Sequence, residues 1–306
     1  MKRIIYFLLV FLFFSSNLFA AAIREYYEKP PVQSSSHPVS SVWKITKDGY
    51  TLFLGGSIHV LRETDFPLPE QFDTAFYESD ILILETDTDQ LSNQEIQQYL
   101  LSQIFLPDRQ RLEDILDAEI YELLSLACTE YGISIEEFAR MKPSMVINIL
   151  SLFQIQKFGF VQQGIDEHYY SKAKSENKPV GFLESMQDQI DMLVSIGKGY
   201  ENEYVQYSIQ DMENQETEKE IEHLLSEWKN GKSEKSNNER LLEMKNDWPE
   251  MYKSLITSRH DNWIPQIENF LTSGKIYFVI AGLLHMHGPD GLLQHLKSIG
   301  CNIEQF

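Results

Sequence analysis

Two short apolar runs near opposite ends of the chain constrain its fold more than any other feature. Residues 81–84 are continuously aliphatic and residues 275–281 are mostly apolar, as expected of strands buried on both faces of a sheet. Most of the chain between them has the apolar period of helices. Strands at both ends with helices between them predict an α/β fold with a mixed, largely parallel sheet.

A hairpin precedes the first of these strands. Residues 41–46 and 50–54 are strand-like, and Asp48 and Gly49 stand between them. An Asp-Gly pair between two such runs is a strong signal for a tight turn. We therefore predict an N-terminal β-hairpin at the start of the sheet.

The middle of the chain predicts a large helical insert at about 93–272, interrupted by a short strand at 179–183. Residues 231–238 are polar and predict the tip of an insertion or a hinge. Because strand signals on both sides complete one sheet, we predict a single domain over 41–306.

The first residues predict export. Two basic residues come first, an apolar run follows at 4–14, and alanines occupy 20–22, the order of a secretory signal peptide. The run is too short for the roughly 20 residues of a spanning helix, which disfavours an uncleaved anchor. We predict a signal peptide at 1–20, a flexible lead-in at 21–40, and a periplasmic or secreted protein without stable membrane insertion after cleavage.

Charge and cysteine content exclude several classes. The chain has 46 acidic and 26 basic residues, a net charge of −20. This balance argues against binding nucleic acid or an anionic membrane, since both need basic surface. Cys128 and Cys301 could pair in an oxidising compartment or remain two buried thiols, and the sequence leaves both open. Neither a phosphate-binding loop nor a dinucleotide fingerprint is present, so no organic cofactor is expected.

Residues able to bind metal or transfer protons follow three of the predicted strands. These residues are His59, Glu85 and His285. In open α/β sheets, sites lie beyond the carboxyl ends of the strands. If the three strands are parallel neighbours, the three side chains meet in one crevice. Taken singly, each has a simpler interpretation, a packing histidine or a helix-capping carboxylate, so the hypothesis depends on all three occurring together.

Histidine with carboxylate is a usual catalytic metal set, which leaves a position open for water. A divalent ion there would lower the pKa of the water and polarise a carbonyl group. His287 lies two residues after His285. On a strand both side chains would point the same way, so His287 could support the site from behind.

Two short motifs frame this acidic strand end in a recognisable order. They are Gly56-Ser57-Ile58-His59 and Gly282-Leu283-Leu284-His285, with Leu84-Glu85-Thr86-Asp87 between them. With these motifs the chain resembles the TraB/PrgY/GumN family, which includes the Tiki metalloproteases. The likeness runs from about residue 42 to 306, and further matching pieces are Gly164-Ile165-Asp166, Gly181-Phe182-Leu183-Glu184 and Arg259 with Trp263.

The resemblance implies a fold similar to erythromycin-esterase and ChaN-like proteins and a metal-dependent peptidase activity that uses manganese or cobalt. It implies His59, Glu85 and His285 as metal ligands, with further candidate roles for Asp166, Glu184 and Arg259. The family often has asparagine after this arginine, where this chain has His260. That histidine could supply an extra ligand, although a histidine on a helix surface is the preferred interpretation.

The sequence therefore predicts an exported metal-dependent hydrolase, a peptidase acting on a peptide or protein substrate. Its ion is held by His59, His285 and Glu85, Glu85 serves as ligand or general base, and Arg259 or His287 steadies the oxyanion. A metal-free esterase-like hydrolase, with a histidine as base and Glu85 orienting it, is one alternative. A secreted peptide-binding protein without turnover is another, and a metal carrier is a weaker third.

Overall fold

The computed structural model describes residues 39–160, 162–214 and 216–306. The predicted signal peptide and nearly all of the predicted lead-in lie outside this part of the chain. Ser40, at the end of the lead-in, is buried, and its backbone N–H donates to the carbonyl of Phe306. The two described ends of the chain are therefore held together.

A six-stranded mixed sheet forms the centre of the domain. Its order is β6-β4-β7-β2-β1-β8, and a separate two-stranded sheet pairs β3 with β5. The strands are β1 (Val42–Lys47), β2 (Tyr50–Ser57), β3 (Val60–Leu61), β4 (Ile81–Leu84), β5 (Gln162–Gln163), β6 (Val180–Phe182), β7 (Tyr277–Gly282) and β8 (Asn302–Gln305). In the six-stranded sheet β6, β4, β7 and β2 run parallel, whereas β1 is antiparallel to both of its neighbours. The predicted mixed, largely parallel sheet is confirmed.

The predicted hairpin is also confirmed. Strands β1 and β2 pair up to Lys47 and Tyr50. Asp48 and Gly49 between them have φ values of 50° and 86°, as a two-residue type I′ turn requires. Strand β2 continues through Ser57, three residues beyond its predicted end.

The described part of the chain has thirteen α-helices, some packed on the sheet and others in the helical insert. They are α1 (Glu70–Glu78), α2 (Gln94–Ile104), α3 (Leu112–Ile115), α4 (Ala118–Glu130), α5 (Pro143–Lys157), α6 (Ile165–Glu176), α7 (Met186–Ser195), α8 (Glu201–Met212), α9 (Thr217–Lys229), α10 (Glu234–Asp247), α11 (Pro249–Tyr252), α12 (Ser258–Phe270) and α13 (Leu292–Ser298). A π-helical turn, Lys253–Thr257, joins α11 to α12.

The helical insert has an apolar core of its own. Buried residues of this core include Leu124 of α4, Leu150 of α5, Leu193 of α7 and Tyr204 of α8. The core of the sheet is separate and contains Phe53, Phe278 and Trp263. Between α5 and α7 the chain returns to the sheet as α6 and β6, which divides the insert into two helical segments.

The predicted polar break at 231–238 is only a short turn at 231–233. Helix α10 begins at Glu234, and Ser233 and Asn237 are buried. The amide of Gln305 donates to the carbonyls of Gly231 and Ser40, which holds this turn against the ends of the domain. Polar composition misled the prediction because Ser233 and Asn237 are buried although both are polar.

Both cysteines of the described chain are buried free thiols, Cys128 in the helical core and Cys301 in the sheet core. Of the two interpretations left open by the sequence, the structure has the unpaired one. No helix in the described ranges has the length and apolar character needed to cross a membrane.

Candidate active site

The order of the strands brings the three predicted site residues together. Strand β7 lies between β2 and β4 and is parallel to both. The register pairs Ser57, the last residue of β2, with Gly282, the last of β7. The carboxyl ends of all three strands therefore share one edge of the sheet, and the condition that they be parallel neighbours is met.

Gly282 lies at the point where these side chains converge. A Cβ atom on Gly282 would lie 3.3 Å from His59 Nε2, 3.3 Å from Glu85 Oε1 and 3.5 Å from His285 Cδ2. The backbone N–H of Gly282 donates to Glu85 Oε1 at 2.6 Å. Glycine at this position leaves a narrow gap between the imidazole and the carboxylate, in which a methyl group would be crowded. We call this gap the crevice.

Asp166 contacts the Nδ1 side of the His59 ring, opposite the side that faces Gly282. The Nδ1 atom of His59 lies 2.9 Å from Asp166 Oδ2, and the hydroxyl of Ser57 donates to Asp166 Oδ1 at 2.9 Å. Asp166 lies in the first turn of α6, which follows Gly164. Because Nδ1 faces the carboxylate, Nε2 is the nitrogen that faces Gly282.

Two opposing effects set the charge of His59. Burial lowers its pKa, but the negative charge of Asp166 and the hydrogen bond to it outweigh burial, so the pKa of His59 lies above its usual value. The imidazole therefore keeps a proton to a higher pH than an exposed histidine does.

We expect the ¹H NMR titration of His59 to report this pairing. The midpoint should lie above about 6.5, the ordinary histidine pKa. In Asp166→Asn the attraction is removed while burial remains, so the midpoint should fall below that value. His59→Gln assigns the resonance. An unchanged midpoint in Asp166→Asn would show that Asp166 does not control the charge of His59.

Arg259 of α12 is the other centre of the site, and its side chain is 8% exposed. Its Nη2 donates to Glu85 Oε2 at 2.5 Å and to Glu184 Oε1 at 2.7 Å, and its Nε donates to Glu184 Oε2 at 3.0 Å. Gln189 accepts a further bond at 3.1 Å, and the guanidinium lies over the Trp263 ring at 4.3 Å. One cation thus lies between two buried carboxylates.

The two carboxylates respond differently to this environment. Burial alone would raise the pKa of Glu85, but the charge of Arg259, together with the neighbouring histidines and the hydrogen bond from Gly282, outweighs burial and holds that pKa far below its usual range. Burial raises the pKa of Glu184, and the same guanidinium offsets only part of the increase. Glu85 therefore stays ionised at neutral pH.

The protons on the buried histidines are fixed by a chain of hydrogen bonds. Arg259 Nη1 lies 2.9 Å from His285 Nε2, and arginine can only donate, so this nitrogen accepts. His285 then carries its proton on Nδ1 and donates to His260 Nε2 at 2.9 Å. His260 in turn donates from Nδ1 to the carbonyl of Asp290 at 2.7 Å.

Both of these histidines are neutral. Burial, and then the charge of Arg259, holds the pKa of His285 well below its usual value, and burial lowers that of His260 to about 4. The interpretation of His260 as a surface residue is wrong, because its ring is buried against His285 and Trp263.

His287 is not brought to this crevice. Residues Leu283–His285 form a 3₁₀ helix and not a strand, so the two-residue spacing does not point both histidines the same way. His287 Nε2 lies 3.4 Å from the hydroxyl of Ser233, and its ring meets the Trp43 ring edge-on at a centroid distance of 5.4 Å.

The arrangement limits how a metal could bind. No group of three or more His, Cys, Asp or Glu residues in the described part of the chain has the spacing of a metal site. His59 Nε2 and Glu85 Oε1 face the same crevice, and both atoms are of a kind that can bind a metal ion. His285 could join them only after Arg259 releases Nε2, so its predicted role as a ligand stays a prediction.

Several residues of the site carried no signal in the sequence. Gln189 is a mid-helix amide without a motif. Asp290 lies in the segment Gly288-Pro289-Asp290-Gly291, which resembles the family's ending, but its contact with His260 is made by a backbone carbonyl that no motif predicts. A cavity of about 450 Å³ beside Arg259 was also missed. Its acidic walls come from Asp188 and Asp191 of α7 and from Glu250 of α11, which is distant from them in the chain.

Comparison with known proteins agrees with the motifs. The chain is 26% identical over 248 residues to the uncharacterized protein YbaP of Escherichia coli (strain K12), which covers 79% of this chain and 86% of that protein. YbaP of Shigella flexneri matches to the same extent. No significant match was found among solved structures. The model of the TraB/PrgY/gumN family matches residues 41–305, and the chain belongs to that family.

Proposed function

We propose that this protein is an exported, metal-dependent hydrolase that cleaves amide bonds of a peptide or protein substrate in the crevice beside Gly282. The observation that carries the proposal is that His59 Nε2 and Glu85 Oε1 face the same point. Each atom lies 3.3 Å from the position that a Cβ on Gly282 would occupy. An imidazole and an ionised carboxylate that face the same small space are suited to hold a cation or to move a proton. Export is inferred from the signal-peptide pattern in residues 1–20.

The donors fit a divalent cation at this point. His59 is held by Asp166 through Nδ1, which is how ligand histidines are usually oriented, and Glu85 Oε1 can bind an ion beside its bond from Gly282. Manganese or cobalt is the metal that family membership suggests. When bound, such an ion would lower the pKa of a water molecule and polarise the substrate carbonyl.

The pKa values of Glu85 and His59 suit these two residues to different roles. Glu85 is a poor general base, because its pKa lies far below the range in which a base works at neutral pH. It is better suited to hold a cation. When no ion is bound at Nε2, His59, whose pKa is raised, can instead accept and return a proton there while Asp166 keeps the ring in place.

The metal-free hydrolase is a second candidate, and a specific observation favours it. The His59–Asp166 pair at 2.9 Å is an oriented base of the kind that activates a nucleophile without metal. In this alternative Asp166, and not Glu85, orients the histidine. Hydrolysis that continues in the presence of a chelator would favour this candidate.

Metal content tests the proposal directly. Protein stripped with a chelator and reloaded with Mn²⁺ should retain about one equivalent per chain. The double variant His59→Ala, His285→Ala should lose it. As a matched control, His223→Ala with His295→Ala removes two histidines that pair with Glu227 and Glu268 away from the crevice, and this variant should keep its metal.

Equal metal content in wild type and in the site variant would contradict the assignment of the ligands.

A peptide-library screen then tests hydrolysis. We expect activity to be lost in Glu85→Gln with the fold retained. Activity that persists in this variant would exclude Glu85 from the reaction.

A further inference from the structure

Strand β8 forms one edge of the six-stranded sheet, and part of its backbone has no partner. The N–H of Phe306, directly after β8, donates to the carbonyl of Val42 in β1. Because hydrogen-bonded pairs alternate in an antiparallel ladder, the backbone N–H and C=O groups of Ile303 and Gln305 point away from β1. Among the described residues these groups have no hydrogen-bond partner. An extended chain could therefore pair with β8.

A groove of about 800 Å³ lies along this strand. Its walls come from β8, α10, α13 and the loop that follows His285. Leu242 of α10 lines the groove and is 48% exposed, although it is a large apolar residue. The volume is within the roughly 300–1,000 Å³ that is usual for ligand-binding clefts.

Two buried polar side chains of the groove lack hydrogen-bond partners. Trp43 is 4% exposed and His287 is 8% exposed, and both line the groove. Among the residues that the structure describes, neither the indole N–H of Trp43 nor Nδ1 of His287 forms a hydrogen bond. Buried groups of this kind usually have a partner. Both nitrogens are thus suited to bond with a polar group that enters the groove.

We propose that β8 and this groove form a binding surface for an extended peptide segment of the substrate. The segment pairs with β8 as an additional strand, and one of its side chains enters the groove. That the segment belongs to a substrate rests on the proposed function, whereas the binding of a peptide does not depend on hydrolysis.

The lining of the groove defines the side chain that fits. Glu234 and Lys297 are the charged residues of the lining, and their charges balance. An uncharged side chain with an apolar body and a hydroxyl, such as tyrosine, can accept from the indole of Trp43 and donate to His287 Nδ1. The net charge of −20 disfavours an acidic segment. The preferred segment is therefore neutral or basic and carries a tyrosine.

The position of β8 in the sheet connects this surface with the crevice. Strand β1 is antiparallel to both β2 and β8, so β8 ends at the same edge of the sheet as β2 and β7. Neighbouring strands are about 4.8 Å apart, which places β8 about 14 Å from β7, and an extended residue spans about 3.3 Å. About four residues of a bound peptide therefore link the groove to the crevice.

Selected peptides test the surface. The probe is a phage library of heptapeptides with a central tyrosine, selected on the predicted mature chain with Glu85→Gln so that bound peptides are not cleaved. Leu242→Glu should weaken binding of the selected peptides by about tenfold or more, because it places a charge at the groove. The matched control is Leu126→Glu, which changes an exposed leucine of α4 outside the groove and should leave binding unchanged. If no selected peptide depends on Leu242, the proposal is overturned.

Methylation of the peptide backbone tests the strand pairing without any change to the protein. Alternate N–H groups of a bound strand face β8, and the others face away. Methyl groups on the first set should weaken binding by about tenfold or more, since each removes a hydrogen bond, and methyl groups on the second set should change it little. Equal effects of the two sets would overturn the proposal.

Amide hydrogen exchange followed by NMR shows what covers the edge. In the free protein the amides of Ile303 and Gln305 should exchange much faster than that of Glu304, and a selected peptide should protect both. Protection without peptide would mean that a second copy or another part of the chain already occupies β8, which overturns the proposal. Because no turnover is needed, a protein that binds these peptides and cleaves none contradicts the proposed hydrolase alone.

Discussion

Arg259→Met is expected to lower the free energy of unfolding by about 3–5 kcal/mol when metal is withheld by a chelator. The reason is that Glu85 and Glu184 share this guanidinium and are both buried. Loss of one partner of a buried ion pair leaves an uncompensated charge, and this accounts for most of the cost. Urea denaturation followed by circular dichroism measures the change.

A matched control distinguishes the effect of burial on stability from the effect of ion pairing. Arg111 also pairs with two carboxylates, those of Glu113 and Glu136, but on the protein surface. Arg111→Met should therefore change stability little, because water replaces the lost partner. Adding Glu85→Gln and Glu184→Gln to Arg259→Met should recover part of the loss. A loss at Arg259 no larger than at Arg111 would show that the buried pairing is not what stabilises the fold.

The sequence predicts the sheet well because its strands have local signals. The Asp48-Gly49 turn requires positive φ at two successive residues, which only a few residue types adopt easily. The aliphatic run Ile81–Leu84 is too short for a helix and too apolar for a loop. These features fix the hairpin and the central strands without knowledge of the rest of the chain.

The candidate site is predictable only in part, for a physical reason. The residues at strand ends could be found because parallel strands place their carboxyl ends together. Arg259 and His260 come from a helix that packs on this edge, and no sequence rule gives the helix that contact. The sequence therefore suggests a set of metal ligands, whereas the structure places a guanidinium among them.

Burial explains the remaining errors. His260 and residues 231–238 are polar, so the sequence predicts that they lie on the surface. His260 is inside the protein and bonds to His285. Within 231–238, Ser233 and Asn237 are buried, and the carbonyl of Gly231 accepts a bond from the amide of Gln305. Polarity predicts exposure only when a side chain has no partner inside, and partners distant in sequence are not visible in one chain.

Gly164→Ala should destabilise the protein by about 3 kcal/mol and also disturb the site. The reason is that a Cβ on Gly164 would overlap the backbone of Ile58 and His59. The N–H of Ile165 donates to the carbonyl of Ile58 at 3.0 Å, so helix α6 is fixed directly against the turn that carries His59. Chain atoms on both sides are backbone and cannot move aside as a flexible side chain can.

Gly274→Ala provides the comparison for this effect. Gly274 has a φ of 79°, and a Cβ there would meet nothing within 4 Å. That change should therefore cost only the roughly 1 kcal/mol of an unfavourable backbone conformation. In Gly164→Ala, the separation of α6 from the turn should also weaken the bond between Asp166 and His59, so the NMR titration midpoint of His59 should fall. A Gly164→Ala protein as stable as Gly274→Ala, with the His59 midpoint unchanged, would show that Gly164 is not what holds Asp166 against His59.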